Sequence, residues 1–150
     1  MVLGLRGSND FNVLSPAAAK DWLAAVEAGD PPPVDHKRLD TFLGLYRKVK
    51  SDRMLHFVNS KQFHPGKTHD RSMAMLNGLR NEFTHFLPKQ WSLEVSGLPA
   101  ICGDCLGLIE FLGWDSGNVI WIDGDVEVRA RRALAEASRQ ILSAHTQSEA

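Results

Sequence analysis

The residues best suited to chemistry are Arg80, Asn81 and His85, within Leu79-Arg80-Asn81-Glu82-Phe83-Thr84-His85-Phe86-Leu87-Pro88. Arginine presents a planar fork of donors that matches phosphate oxygens. Histidine has an unperturbed pKa near neutrality and moves protons at physiological pH. Cleavage of RNA through its 2′-hydroxyl needs a base for that proton, an acid for the leaving 5′-oxygen and a cation for the charge on the phosphorane. In such a scheme Arg80 stabilises phosphate charge, Asn81 orients His85 or a phosphate oxygen, and His85 transfers a proton. A single imidazole cannot be base and acid in one concerted step. A two-fold dimer supplies a second copy, which is a physical reason for such a motif to work at a dimer interface. The scheme calls for no metal and no cofactor.

Helix geometry constrains this site. Residues five apart on an α-helix are separated by about 140° around the axis. Arg80 and His85 therefore do not stack, and they converge only through the reach of arginine, fraying near Pro88 or a partner subunit. Asn81 and His85 are four apart and share a face. The helix end and Glu82 both favour imidazolium, while Arg80 opposes it. His85 is thus expected to serve better as acid or phosphate binder than as base.

The elements that must position these residues read as helices. Ser15 is an N-cap, Pro16 suits the first turn and Gly29 is a C-cap, which brackets a helix over 17–28 whose inward face holds Trp22, Leu23 and Val26. Residues 1–14 read as a flexible or extended arm. Pro31-Pro32-Pro33 is a stiff spacer. Asp35 then caps a long helix to about Asn59, with Leu39, Phe42, Leu43, Tyr46, Val49, Leu55 and Val58 on one side and a basic face opposite. After the Pro65-Gly66 turn, Thr68 caps a third helix to Phe86 or Leu87, with Met73, Leu76, Leu79, Phe83 and Phe86 as its stripe and Pro88 as its stop. Asn77-Gly78 inside it suggests either close backbone approach by another helix or a break. Trp91 to Val95 alternates and permits a short extended segment. Ser96 caps a fourth helix to about Leu112, apolar almost all round, as in a bundle interior or an oligomer interface. Val119 to Ile122 reads as an extended piece or entry arm. Asp123 or Asp125 caps a last helix to about Ala144. The expected fold is a single all-α domain, a helical bundle of about five helices.

The Arg80-Asn81 pair, the four intervening residues between Arg80 and His85, and the place of the motif at the end of a third helix resemble the HEPN superfamily (higher eukaryotes and prokaryotes nucleotide-binding domains). The string Trp91-Ser92-Leu93-Glu94-Val95-Ser96-Gly97-Leu98-Pro99 also looks like uncharacterised bacterial members. The resemblance covers most of the chain in helix count and order, and only Arg80, Asn81 and His85 match residue by residue. It implies a HEPN-like homodimer with the motif at the interface. Many active members are metal-independent endoribonucleases, often toxins with an antitoxin-type partner. Others are inactive modules that bind nucleotide, RNA or protein.

Plainer readings stand beside each candidate. The Arg80–His85 cluster is equally a helix-end capping and ion-pair network. Cys102-Gly103-Asp104-Cys105 lacks the further ligands of a zinc site and the βαβ setting of a redox motif, and both thiols read as core filler. His64 and His69 have no carboxylate spacing to make a metal site with His85. Trp91, Trp114 and Trp121 read as core or interface anchors before base-stacking platforms. Arg47, Lys48, Lys50 and Arg53 read as a solvated face that would track phosphates only beside Arg80. His36 and His56 read as helix-surface residues.

Composition bounds the rest. The chain has 150 residues, 43% hydrophobic and 23% charged, with a formal net charge of −1. That charge excludes coating nucleic acid by bulk attraction, though not a local RNA site. Two cysteines do not make a secreted disulfide scaffold. No apolar run approaches the roughly 20 residues that span a bilayer, and no signal-like stretch follows Arg6, so the expected setting is cytoplasmic, with no membrane partner.

Overall fold

The computed structural model describes residues 1–6, 10–31, 38–84 and 97–148. Its described residues are mostly helical and contain no strand, which makes this an all-α protein. They form six α-helices: α1 (Val2–Arg6), α2 (Pro16–Ala28), α3 (Phe42–Val49), α4 (His69–Thr84), α5 (Leu98–Glu110) and α6 (Gly124–Ser148). The chain divides into two compact units, one of Met1–His64 with Leu112–Val119, the other of Pro65–Phe111 with Ile120–Ala150.

The first unit contains α1, α2 and α3. The segment expected as an arm carries α1 and a 3-10 turn over Asp10–Val13, and Leu5 and Val13 are buried with Leu45, Tyr46, Val49 and Met54. A sparse apolar run thus becomes core, because α1 packs on α3 and on the 3-10 turn that follows it. For α2 the caps are as expected. Ser15 is extended and its Oγ accepts from the Ala18 amide at 3.2 Å, while Gly29 closes the helix at φ 78°. Replacing Ser15 with alanine leaves that amide without its cap, and urea unfolding should show a loss of about 1 kcal/mol. The inward face differs from expectation. Ala18 is buried and Trp22 half-buried against Phe11, edge to face at 5.8 Å, whereas Leu23 and Val26 are 45% and 46% exposed.

The long helix expected from Asp35 to Asn59 is a correction. Asp35 lies outside the described residues, and the helix that forms is only Phe42–Val49. At its start Leu39 makes an antiparallel bridge with Leu14, and Thr41 caps α3 by accepting from the Gly44 amide at 3.1 Å. At its end Ser51 stops it: its hydroxyl donates to the Lys48 carbonyl at 2.8 Å and accepts from the Arg53 amide at 3.3 Å. A 3-10 turn over Asp52–Met54 then drives Met54 into the core with no exposed surface. The hydroxyl competes with the helix for its own backbone groups, a local option that apolar periodicity cannot register. Downstream Leu55 and Val58 are exposed rather than inward.

The returning segment Leu112–Val119 completes this unit through polar contacts. Asn118 is 6% exposed. Its side-chain amide donates to the Gly4 carbonyl at 2.9 Å and the Met54 carbonyl at 2.7 Å, and its Oδ1 accepts from Ser60 Oγ at 2.6 Å. Ser116, fully buried, donates to the Leu112 carbonyl at 2.9 Å and accepts from the Asn118 amide at 3.2 Å. Gly117 between them sits at φ 72°, and a Cβ there would stand 2.6 Å from the Asn59 carbonyl oxygen. Gly117→Ala combines backbone strain with a clash against main chain. Chemical denaturation should show about 2–3 kcal/mol lost.

The second unit is built from α4, α5 and α6, with α5 packed against both of the others. Among the described residues, Met73 from α4 and Ile101 and Leu108 from α5 are its buried apolar residues. Asp104 of α5 holds the start of α4, accepting from Thr68 Oγ1 at 3.1 Å and from the buried Ser72 Oγ at 2.5 Å. Thr68 precedes α4 as expected, but its hydroxyl serves Asp104 rather than a backbone amide. The extended segment expected over 91–95 and the cap Ser96 lie outside the described residues. Gly97 stands at the N-cap of α5, and Pro99 is in its first turn. Beyond Glu110 the chain continues in a π-helical turn, Phe111–Asp115, rather than ending at Gly113. Asp123 caps α6, its Oδ1 accepting from the amides of Asp125 at 2.8 Å and Val126 at 3.3 Å. Ile120 and Ile122 before it are exposed.

Candidate functional site

Arg80 and Asn81 stand in the second half of α4, and both are exposed. The reason follows from the packing of the helix. Arg80 comes seven residues after Met73, and seven residues return to within about 20° of the same direction. Met73 is nevertheless 1% exposed. Leu76 and Leu79 are half-buried. Among the described residues of α4, cover is complete at Met73, partial at Leu76 and Leu79, and lost at Arg80. Glu82 is exposed as well. His85, and with it the Asn81–His85 pair, lies outside the described residues.

Asn77-Gly78 does not break α4, which runs unbroken to Thr84. No described atom comes within 4 Å of a Cβ built on Gly78, so among the described residues nothing offsets the cost of a mid-helix glycine, about 1 kcal/mol relative to alanine.

The basic run is a solvated face only in part: Arg47 and Arg53 are exposed as expected, while Lys48 and Lys50 are half-buried. Lys48 is engaged by its own unit: Nζ pairs with Asp40 at 2.7 Å and donates to the Leu14 carbonyl at 2.5 Å. Lys50 stands 4.6 Å from the centre of the Tyr46 ring, and Arg53 5.9 Å from that of Phe11. These cations tie α3 and the following turn to their surroundings. His56 also departs from a helix-surface role. It is half-buried in the segment after the 3-10 turn, with Nε2 donating to the Leu5 carbonyl at 2.9 Å and Nδ1 3.4 Å from the Asn12 amide.

His64 is exposed, and His69 Nδ1 accepts from the Gly66 amide at 3.2 Å while standing 3.4 Å from Asp104. Among the described residues no group of three or more His, Cys, Asp and Glu side chains is arranged to hold a metal ion. The cysteines are not both core: Cys102 is exposed and Cys105 half-buried. Trp114 and Trp121 are half-buried, and Trp91 lies outside the described residues. Trp114 lines an open groove of about 530 Å³ with Val58, Lys61 and Asp115, which hold one charge of each sign. Sequence spacing offered no signal for this groove, because its two walls come from segments over fifty positions apart. No described helix is long and apolar enough to cross a membrane.

No family model, no curated protein and no solved structure matches this chain.

Proposed function

We propose that this chain is a HEPN-like, metal-independent endoribonuclease that acts as a homodimer, with Arg80, Asn81 and His85 as its site. The observation that carries this reading is the exposure of adjacent Arg80 and Asn81 in the second half of α4. The exposure of an arginine there supports a phosphate-binding role, since a macromolecular substrate is met at the surface. Each site would draw on two copies of the motif. The 2′-oxygen gives its proton to the His85 imidazole of one copy and attacks phosphorus, Arg80 stabilises the phosphorane oxygens, and the His85 of the other copy gives a proton to the 5′-oxygen as its bond to phosphorus breaks. The products would be a 2′,3′-cyclic phosphate end and a 5′-hydroxyl end.

A second reading has a specific observation behind it. Three cations of the basic run are occupied by Asp40, Tyr46 and Phe11 within their own unit, which removes the most obvious track for an RNA backbone. A HEPN-like dimer that binds nucleotide, RNA or an antitoxin-type protein without cutting answers to that.

One experiment separates the two. Purified protein and its Arg80→Ala and His85→Ala variants are incubated with mixed RNA in chelator, and the ends of any fragments are sequenced. Cleavage by wild type alone with cyclic phosphate ends supports the nuclease. Intact RNA with all three proteins folded and dimeric by size-exclusion chromatography, together with RNA retention by wild type, supports the binding module.

A further inference from the structure

Helix α5 carries two thiols three residues apart, Cys102 and Cys105, and neither is in a disulfide. Residues at this spacing are neighbours on a helix surface, with Cβ atoms about 5–6 Å apart. Cys105 follows the buried Ile101 by four residues and precedes the buried Leu108 by three, so it belongs to the packed stripe and is half-buried. Cys102 is one residue round from Ile101 and is exposed. The pair straddles the edge of the packed face, one sulfur open to solution and the other on the protein side. No described atom lies within 4 Å of a Cβ built on Gly103 between them, so the surface beside the pair is uncovered.

Two chemistries compete for such a pair. A disulfide needs Cβ atoms about 3.5–4.5 Å apart, closer than an undistorted helix holds them. One soft atom bonded to both sulfurs bridges the wider gap and leaves α5 intact. We propose that Cys102 and Cys105 form a chelating dithiol site for trivalent organoarsenicals. The reaction is a condensation. An organoarsenic oxide, R–As=O, forms two As–S bonds as its bond to oxygen breaks, and the two thiol protons leave with that oxygen as water. Arsenic remains trivalent throughout, so no oxidant or reductant is involved.

The charge of the site selects this class over metal cations. Burial pushes the Cys105 thiol up, and the neighbouring Cys102 and the Asp104 carboxylate act in the same direction. A site that resists anionic sulfur favours a ligand whose chelate is neutral. A bis-thiolate copper(I) complex would keep a net negative charge beside Asp104, and zinc would need further ligands that the described residues do not group here.

The test uses the full-length protein and phenylarsine oxide. Intact-mass spectrometry should show one adduct per chain that survives excess 2-mercaptoethanol and is removed by 2,3-dimercaptopropanol. The adduct should raise the thermal midpoint, because a ligand that prefers the native state stabilises it. Cys102→Ser, at an exposed position where the fold is insensitive, should release the reagent to monothiol at least tenfold faster, as should Cys105→Ser. The Arg80→Ala variant should bind like wild type, which keeps this result separate from the nuclease reading. Release to monothiol from wild type, retention by Cys102→Ser equal to wild type, or an adduct that lowers the midpoint would each overturn the proposal.

Discussion

Arg80→Ala is expected to reduce RNA cleavage by about 10²–10³-fold, the range found when one preorganised donor to a developing oxyanion is removed. The loss should fall mainly on kcat, because the phosphorane carries more charge than the ground-state diester and a group aimed at that extra charge acts most strongly in the transition state. Arg80→Lys is the sharper variant. It keeps the positive charge and loses the planar fork, so partial activity would assign Arg80 a simple electrostatic role and full loss would assign it paired hydrogen bonds to two phosphate oxygens. Since Arg80 is exposed, neither change should move the urea midpoint appreciably. Wild-type cleavage kinetics in Arg80→Ala would remove this residue from the site. A fall in cleavage matched by a fall in stability would reassign it to the fold.

Asn118→Leu is expected to produce the largest stability loss, about 3 kcal/mol, through a different cause. The asparagine amide donates to the carbonyls of Gly4 and Met54, and its oxygen accepts from Ser60. It therefore ties together α1, the turn after α3 and the returning segment. Leucine keeps the bulk but leaves two carbonyls and one hydroxyl to find new partners, and each buried polar group left unsatisfied costs about 1–3 kcal/mol. At this chain length a loss of that size lowers the thermal midpoint by roughly 6–12 °C. Ser60→Ala removes the hydroxyl rather than stranding it and should cost clearly less. Equal midpoints for wild type and Asn118→Leu would show that the network is replaced by water and that Asn118 does not hold the unit together.

The two predictions mark where sequence reading succeeds and where it stops. Arg80 and Asn81 were legible as candidates because their chemistry resides in the residue types and their position on a helix follows from local pattern. Asn118, Asp104 and His56 gave no such signal. Each is an ordinary polar residue whose role comes from a partner between roughly 32 and 114 positions away, as in the Asn118–Gly4 and Ser72–Asp104 hydrogen bonds.

The same division runs through the helices. The sequence by itself determined α2 with its caps and the all-α class, and it narrowed the start of α6 to Asp123 or Asp125, because serine, aspartate, proline and glycine at helix ends act on amides only a few residues away. Only the tertiary structure decided where α3 stops, whether the first residues are arm or core, and which face of α2 turns inward. In each of those places local propensity allowed several answers of nearly equal free energy. The choice fell to contacts between distant segments: the Leu14–Leu39 bridge, the Lys48–Asp40 pair and the burial of Leu5 and Met54. The exposure of Arg80 belongs to the same class, since it stands seven residues after Met73 and only tertiary packing buries the one and leaves the other exposed.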